Sequence, residues 1–180
     1  TADDALEARL RAYLQEGGRI LCAGTGGLKK DESGFALPED LTYEGADTAN
    51  SSYFTFRHVP EGSVDMPWSI YREGILCKAK RGEDVRARYV KAYFNKHWDG
   101  LHAYYYTPPE KETGHAAAAV TGSVARICFR IFTAYAETAM REHKLLVKQL
   151  IDELLPDPLV RVDKGIPSTA RVTVTGRDDF

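Results

Sequence analysis

The first 28 residues constrain the fold of this chain more than any other stretch. Residues 3–15 repeat apolar side chains at helical spacing, and an acidic residue at their start can cap the helix. The apolar face of this helix consists of Leu6, Leu10, Tyr13 and Leu14. Gly17 and Gly18 end it, because glycine accepts the left-handed conformation of a helix terminus. The apolar run 19–23 then predicts a buried strand. A helix, a glycine pair and a buried strand in this order are typical of the αβ half of a wound α/β sheet.

Composition excludes several classes of protein. The 180 residues carry a formal net charge of −2, so we expect no nucleic-acid partner, which would require a basic stripe. No apolar run approaches the ~18 residues of a membrane span, and no signal peptide is visible at the start. The chain begins at Thr1, and we therefore expect that its true N-terminus is missing or was removed.

The three cysteines, Cys22, Cys77 and Cys128, each fall in a predicted apolar strand. They are far apart and odd in number, which favours buried free thiols over disulfides. Free thiols fit a reducing compartment, so we expect a cytoplasmic protein.

From residue 51 onward the apolar pattern changes to period two, which is typical of strands. The predicted strands are 52–57, 69–80, 85–94, 115–121 and 124–134. Alternating residues on both sides of the turn 81–84 predict a hairpin, and a short helical piece is expected at 38–43.

A second clear helix is predicted at 138–155, where Pro156 stops it. The stretches 158–162 and 170–175 resemble two further strands. We therefore expect an α/β domain over residues 1–156, and over 157–180 a linker with the first strands of a following β-domain.

Three polar features near the predicted strands favour structural over chemical roles. The turn 24–27 could offer N–H groups to a phosphate, but it matches neither glycine-rich phosphate motif. Cys22 lies within its strand rather than at a strand-to-helix elbow, where a nucleophile would sit. The acidic pairs Asp31-Glu32 and Glu39-Asp40 are expected to be solvated. No two carboxylates can be placed at the roughly 5–10 Å separation of a glycosidase, so no catalytic residue is predicted.

The loop 97–109 is the densest polar and aromatic cluster of the chain. Aromatic faces stack on sugar rings, so the loop could face a sugar or an interface, whereas the alternative is packing on its own domain. The spacing of His97 and His102 matches no helical metal site, so neither a metal nor a cofactor is predicted. The candidate substrate-proximal or interface residues are Trp98, His102, Tyr104, Tyr105 and Tyr106.

An ordered set of motifs resembles one family. The run 10–28 (LRAYLQEGGRILCAGTGGL) is similar to the β-galactosidase trimerisation-type domain, and 102–109 (HAYYYTPP) resembles that family's histidine-to-Pro-Pro loop. The run 166–175 (IPSTARVTVT) resembles the entry to the β-sandwich that follows that domain. Phe132 and Tyr135 resemble that family's F-x-x-Y signature, and Leu145–Pro158 resembles its last helix and exit.

The resemblance implies a flavodoxin- or class I glutamine amidotransferase-like sheet with flanking helices, lacking its first strands. It also implies a catalytic TIM barrel before residue 1 and a β-sandwich after this segment. The expected role is that of a non-catalytic structural and assembly domain of a multi-domain glycoside hydrolase. Its expected partners are the other domains of the same polypeptide, with a homo-oligomer and carbohydrate as candidates. A carbohydrate- or small-ligand-binding module without catalysis is the alternative.

Overall fold

The computed structural model describes residues 2–49, 51–96, 100, 107–162, 165 and 170–176. Within these residues the chain forms helices α1 (Asp4–Gln15), α2 (Ile131–Thr138) and α3 (Arg141–Leu154), with a single 3₁₀ turn at Gly82–Asp84. The strands are β1 (Ile20–Ala23), β2 (Leu41–Ala46), β3 (Ser52–Phe56), β4 (Trp68–Ile70), β5 (Ile75–Ala79), β6 (Val85–Ala92), β7 (Pro109–Thr121) and β8 (Val124–Ile127).

Six strands form one mixed sheet in the order β1-β8-β7-β6-β3-β4. β1 pairs with β8 in parallel, and the other neighbours in this sheet are antiparallel. In the described part of the chain, β1 and β4 are therefore its two edges. β2 and β5 form a separate antiparallel pair. The prediction of an α/β domain is confirmed, while the amidotransferase-like arrangement stays a prediction. Among the strands that the structure describes, only β1 and β8 pair in parallel.

The core lies against β7, whose four consecutive alanines Ala116–Ala119 are all buried. Because successive strand residues point to opposite faces, both faces of β7 are covered. β5 lies against β7, and α3 lies near β1 and β8. The main apolar contributors are Phe54, Ile75, Ile127, Phe129, Leu146 and Leu150. Because the alanine side chains of β7 are small, the elements that cover its two faces can approach it closely.

The predicted first helix is confirmed: the Asp3 side chain accepts a hydrogen bond from the Leu6 N–H at 2.9 Å and caps α1. Its apolar face is only partly covered, however, because Leu10 and Leu14 are half-buried and no residue of α1 is fully buried. Tyr13 is 51% exposed. The periodicity of the sequence therefore predicted the helix correctly, whereas the described residues cover its apolar face only in part.

The predicted hairpin across 81–84 is wrong. β5 pairs with β2 instead, and β6 pairs with β3 and β7. Arg81 binds the Asp84 carboxylate through two N–H groups at 3.1 Å, and the chain leaves one sheet and enters the other at this turn. Residues 38–43 are also not helical, because β2 starts at Leu41 and pairs with β5 from there.

Two predicted elements are each divided in the structure. The expected strand 69–80 is broken at 71–74 between β4 and β5, and the expected strand 124–134 ends at Ile127. Ile131 and Ala134 are both buried, and this spacing of three residues suits the helix α2.

The expected helix 138–155 begins only at Arg141, since Ala139 takes a left-handed φ of 50° and ends α2. Residues 158–162 and 170–176 form no strand.

Cys77 and Cys128 are fully buried free thiols, as the sequence predicts, whereas Cys22 is half-buried. Among the described residues, no helix has both the length and the apolar character needed to cross a bilayer.

Candidate functional site

An open cleft of about 850 Å³ lies at the edge of the sheet where β3 begins and β4 ends. It is there because Ser52 pairs with Ile70, which brings the residues preceding β3 next to those following β4. Its lining comes from residues 47–49, 51–53 and 69–73, together with Lys96 and Thr107.

A fixed carboxylate lies in the cleft. Asp47 accepts a hydrogen bond from the Ala49 N–H at 3.0 Å and another from the Ser52 hydroxyl at 2.5 Å. Its own N–H donates to the Gly74 carbonyl at 2.9 Å. These contacts orient the carboxylate, which retains acceptor capacity beyond the two bonds.

Tyr71 supplies an aromatic surface to the cleft, and its side chain is 54% exposed. Beneath it lies the fully buried His143 of α3, with the two rings nearly perpendicular and their centroids 6.4 Å apart. The His143 ring also stacks on Phe54 at 6.0 Å, and its Nε2 lies 3.2 Å from the Ser69 carbonyl. Burial lowers the pKa of His143 below its usual value, with the Ser69 carbonyl opposing that shift. A neutral imidazole therefore donates to Ser69 and supports Tyr71.

Arg72 adds a cation that is already paired. Its Nε donates to a Glu137 carboxylate oxygen at 2.6 Å, and its Nη2 donates to the other oxygen, so the pair is bidentate. Glu137 therefore fixes the guanidinium plane and offsets its charge.

The candidate residues of the sequence, Trp98, His102, Tyr104, Tyr105 and Tyr106, lie outside the described residues, and their role stays a prediction. Lys96, which directly precedes the predicted loop 97–109, and Thr107, which lies near its end, both line the cleft. The Tyr53 hydroxyl donates to the Thr107 carbonyl and ties β3 to the start of the segment leading into β7.

The turn 24–27 after β1 is held by a buried ion pair. Arg126 of β8 donates to the carbonyl of Gly24 at 2.9 Å and to that of Gly26 at 2.8 Å. It also donates to both carboxylate oxygens of Glu39, at 2.5 and 2.8 Å. Both of these charged side chains are 1% exposed, so the expectation that Glu39 is solvated is wrong. The ring of Phe35 stacks on the guanidinium at 3.9 Å.

The electrostatics at this strand end disfavour nucleophilic chemistry. Burial raises the pKa of the Cys22 thiol, and the nearby Arg126 only partly opposes this. Burial likewise works to lower the pKa of Arg126, but the hydrogen bonds to Glu39 and the negative charge of Glu39 together outweigh it and raise that pKa. A thiol with a raised pKa is mostly protonated at neutral pH, so Cys22 is a weak nucleophile.

Sequence reasoning missed both Arg126 and Tyr71. A lone arginine in the apolar run 124–129 is a usable signal, because a buried charge requires a buried counter-charge. The Tyr71 cleft had no such signal, since it depends on which strands pair. Among the described residues, no three histidine, cysteine or acidic side chains cluster closely enough to hold a metal ion.

Comparison with known proteins gives one structural likeness. No protein-family model matches the chain, and no curated protein matches it in sequence. Among solved structures, α-L-fucosidase isoenzyme 2 from Paenibacillus thiaminolyticus is similar in fold, with a TM-score of 0.76 and 22% sequence identity. The match covers 86% of this chain and 24% of the fucosidase chain, so the chain spans about a quarter of that protein's length. At this identity the likeness concerns the fold.

Proposed function

We propose that this chain is a non-catalytic structural and assembly domain of a multi-domain glycoside hydrolase. The similarity in fold to part of an α-L-fucosidase supports the class of the parent protein. Within this proposal, residues 1–156 form an amidotransferase-like, trimerisation-type domain, and 157–180 lead into a β-sandwich.

The observation that carries the assembly role is an uncovered apolar surface beside β1. A groove of about 410 Å³ runs between the end of α1 and the end of α3, and its apolar lining is Tyr13, Leu21, Ile151, Leu154 and Leu155. Tyr13, Ile151 and Leu155 are exposed there. An apolar patch of this kind marks a surface that contacts another protein segment.

The adjacent edge strand adds to this surface. Among the described residues, no strand pairs with the outer edge of β1. The Ile20 and Gly24 N–H groups donate towards β8, so the alternate residues Leu21 and Ala23 direct their amides to the open side. An unpaired edge next to an apolar groove is suited to a further strand and its covering helix. Other domains of the same polypeptide, or a second copy of it, are the proposed partners.

The contacts at the carboxyl end of β1 support a non-catalytic role. The place where an α/β hydrolytic fold would present a nucleophile carries the turn 24–27, which Arg126 and Glu39 hold closed. Cys22, the nearest thiol, has a raised pKa.

The assembly surface can be tested by placing a charge in the groove. In the longer polypeptide, Ile151→Glu and Leu155→Glu should lower the oligomeric mass or the melting temperature, because a buried contact would then hold an unpaired carboxylate. Val64→Glu is the matched control, since Val64 is 57% exposed and lies outside the groove. Light scattering and differential scanning fluorimetry give the readouts. If the groove variants match Val64→Glu in both, this surface has no assembly role.

A further inference from the structure

The cleft beside Tyr71 has the features of a ligand site that is separate from the assembly surface. Its volume of about 850 Å³ lies within the range of small-molecule sites. It lies at the β4 edge of the sheet, whereas the apolar groove lies at the β1 edge.

The Tyr71 ring has a buried aromatic neighbour on one side and solvent on the other. The His143 ring supports it from the buried side, and the backbone carbonyl of Ser69 holds His143 in turn. An exposed tyrosine has only two side-chain torsions to order, so it loses little conformational entropy on binding, which favours stacking on an apolar face of a ligand.

The polar groups of the cleft are fixed in advance. Asp47 is oriented by Ser52 and Ala49, and its remaining lone pairs can accept hydrogen bonds from hydroxyl groups. Glu137 occupies Nε and Nη2 of Arg72, and among the described residues Nη1 has no hydrogen-bond partner, so it is a donor for a ligand oxygen.

The charge balance of the cleft points to a neutral ligand. Glu137 offsets Arg72, and Arg130 lies 3.5 Å from the Glu73 carboxylate. The cleft also contains Asp47 and Lys96, so neither sign of charge prevails. A phosphate site would instead present a surplus of cationic or N–H donors. A ligand with many hydroxyl groups and one apolar face matches this lining, and a pyranose ring has both.

We propose that this cleft binds a neutral pyranoside, with Tyr71 stacking on the sugar ring and with Asp47 and Arg72 bonding its hydroxyl groups. The proposal rests on the cleft alone and does not depend on the assembly role.

The test is an NMR titration of the ¹⁵N-labelled 180-residue chain, with inorganic phosphate as the comparison ligand and with three glycosides, namely methyl α-L-fucoside, methyl β-D-galactoside and methyl β-D-xyloside. At least one glycoside should bind with a Kd on the order of 1 mM and shift the amides of residues 47–53 and 69–73. Tyr71→Ala should weaken that binding about tenfold, which corresponds to about 1.4 kcal/mol. Tyr71→Phe should retain it, because the ring remains.

Tyr13→Ala is the control, because Tyr13 is similarly exposed but lies at the opposite edge of the sheet. If Tyr71→Ala fails to fold, Arg72→Gln serves instead, since it removes a cleft donor from an exposed ion pair. The proposal is overturned if no glycoside binds, if Tyr71→Ala or its replacement binds as the wild type does, or if only inorganic phosphate shifts these amides.

Discussion

At the scale of single residues, the pair of Arg126 and Glu39 fastens three parts of the chain to one another. It joins β8 to the turn after β1 and to the segment preceding β2, and both side chains are almost completely buried. Arg126→Met would leave the Glu39 carboxylate buried without its partner, and such losses are strongly destabilising.

We expect Arg126→Met to lower the free energy of unfolding by roughly 3–5 kcal/mol in urea denaturation. Replacing both residues together, as Arg126→Met with Glu39→Leu, should lower it less, because no charge is then left unpaired. The exposed pair of Arg72 and Glu137 provides the control, and Arg72→Met should change stability by about 0–1 kcal/mol. Equal effects of Arg126→Met and Arg72→Met would show that the buried pair of Arg126 and Glu39 stabilises the fold no more than an exposed pair does.

His143 should make stability depend on pH. Its pKa in the folded protein is lowered by burial, whereas the unfolded chain has the ordinary value of about 6.5. As the pH falls, the unfolded state therefore binds the proton first. The stabilisation is complete above about pH 6.5 and declines as the pH falls from there towards the folded pKa, by at most roughly 1.4 kcal/mol per pH unit.

Urea denaturation at pH 7.5 and 5.5 measures this decline, and His143→Gln should flatten it. The carboxylates whose pKa values are lowered, such as Glu112 beside Arg88, lose their contribution only below about pH 4.5 and do not interfere. An unchanged decline in His143→Gln would show that other groups are responsible.

At the scale of elements, the contact between β5 and the segment after β8 depends on Gly74. The Ile75 N–H donates to the Cys128 carbonyl at 2.7 Å, and Gly74 forms a bridge with Phe129. A Cβ on Gly74 would lie 2.9 Å from the Cys128 carbonyl oxygen and 3.2 Å from the Phe129 Cβ, and it would also meet the Tyr89 hydroxyl.

Gly74→Ala should therefore lower the free energy of unfolding by about 1–3 kcal/mol, the usual effect of overpacking. Gly114→Ala in β7 is the matched control, because a Cβ there meets no atom within 4 Å. It should be neutral or stabilising by about 0.5–1 kcal/mol, since glycine weakens a strand. A Gly74→Ala variant as stable as Gly114→Ala would show that β5 and the segment after β8 are not closely packed at Gly74.

Local signals in the sequence were sufficient to predict some helices and strands but not the pairing of distant strands. The Asp3 cap and the apolar repeat defined α1, and the glycine pair defined its end, because those interactions lie within a few residues. The pairing of β5 with β2 joins distant residues, and nothing near 81–84 indicates it. The predicted hairpin failed for that reason. The Tyr71 cleft required the same kind of information, namely that Ser52 lies beside Ile70.

At the scale of the whole molecule, the sheet has two different edges. The β1 edge adjoins an apolar groove and the partly exposed apolar face of α1, which suits a protein partner. The β4 edge carries the polar and aromatic cleft, which suits a small ligand. The sequence predicted an α/β domain, which the structure confirms, but its candidate site residues lay in the loop 97–109 rather than at these edges.

The most direct test of the proposed function compares the proposed multi-domain parent protein with a form of it that lacks residues 1–156. Light scattering measures the oligomeric mass of both forms, and thermal unfolding measures their stability. The purified 180-residue chain is assayed in parallel for hydrolysis of 4-nitrophenyl glycosides. We expect the deletion to lower the oligomeric mass or the melting temperature, and the isolated chain to hydrolyse none of the glycosides. Unchanged mass and melting temperature after the deletion, or glycoside hydrolysis by the isolated chain, would contradict a non-catalytic assembly domain.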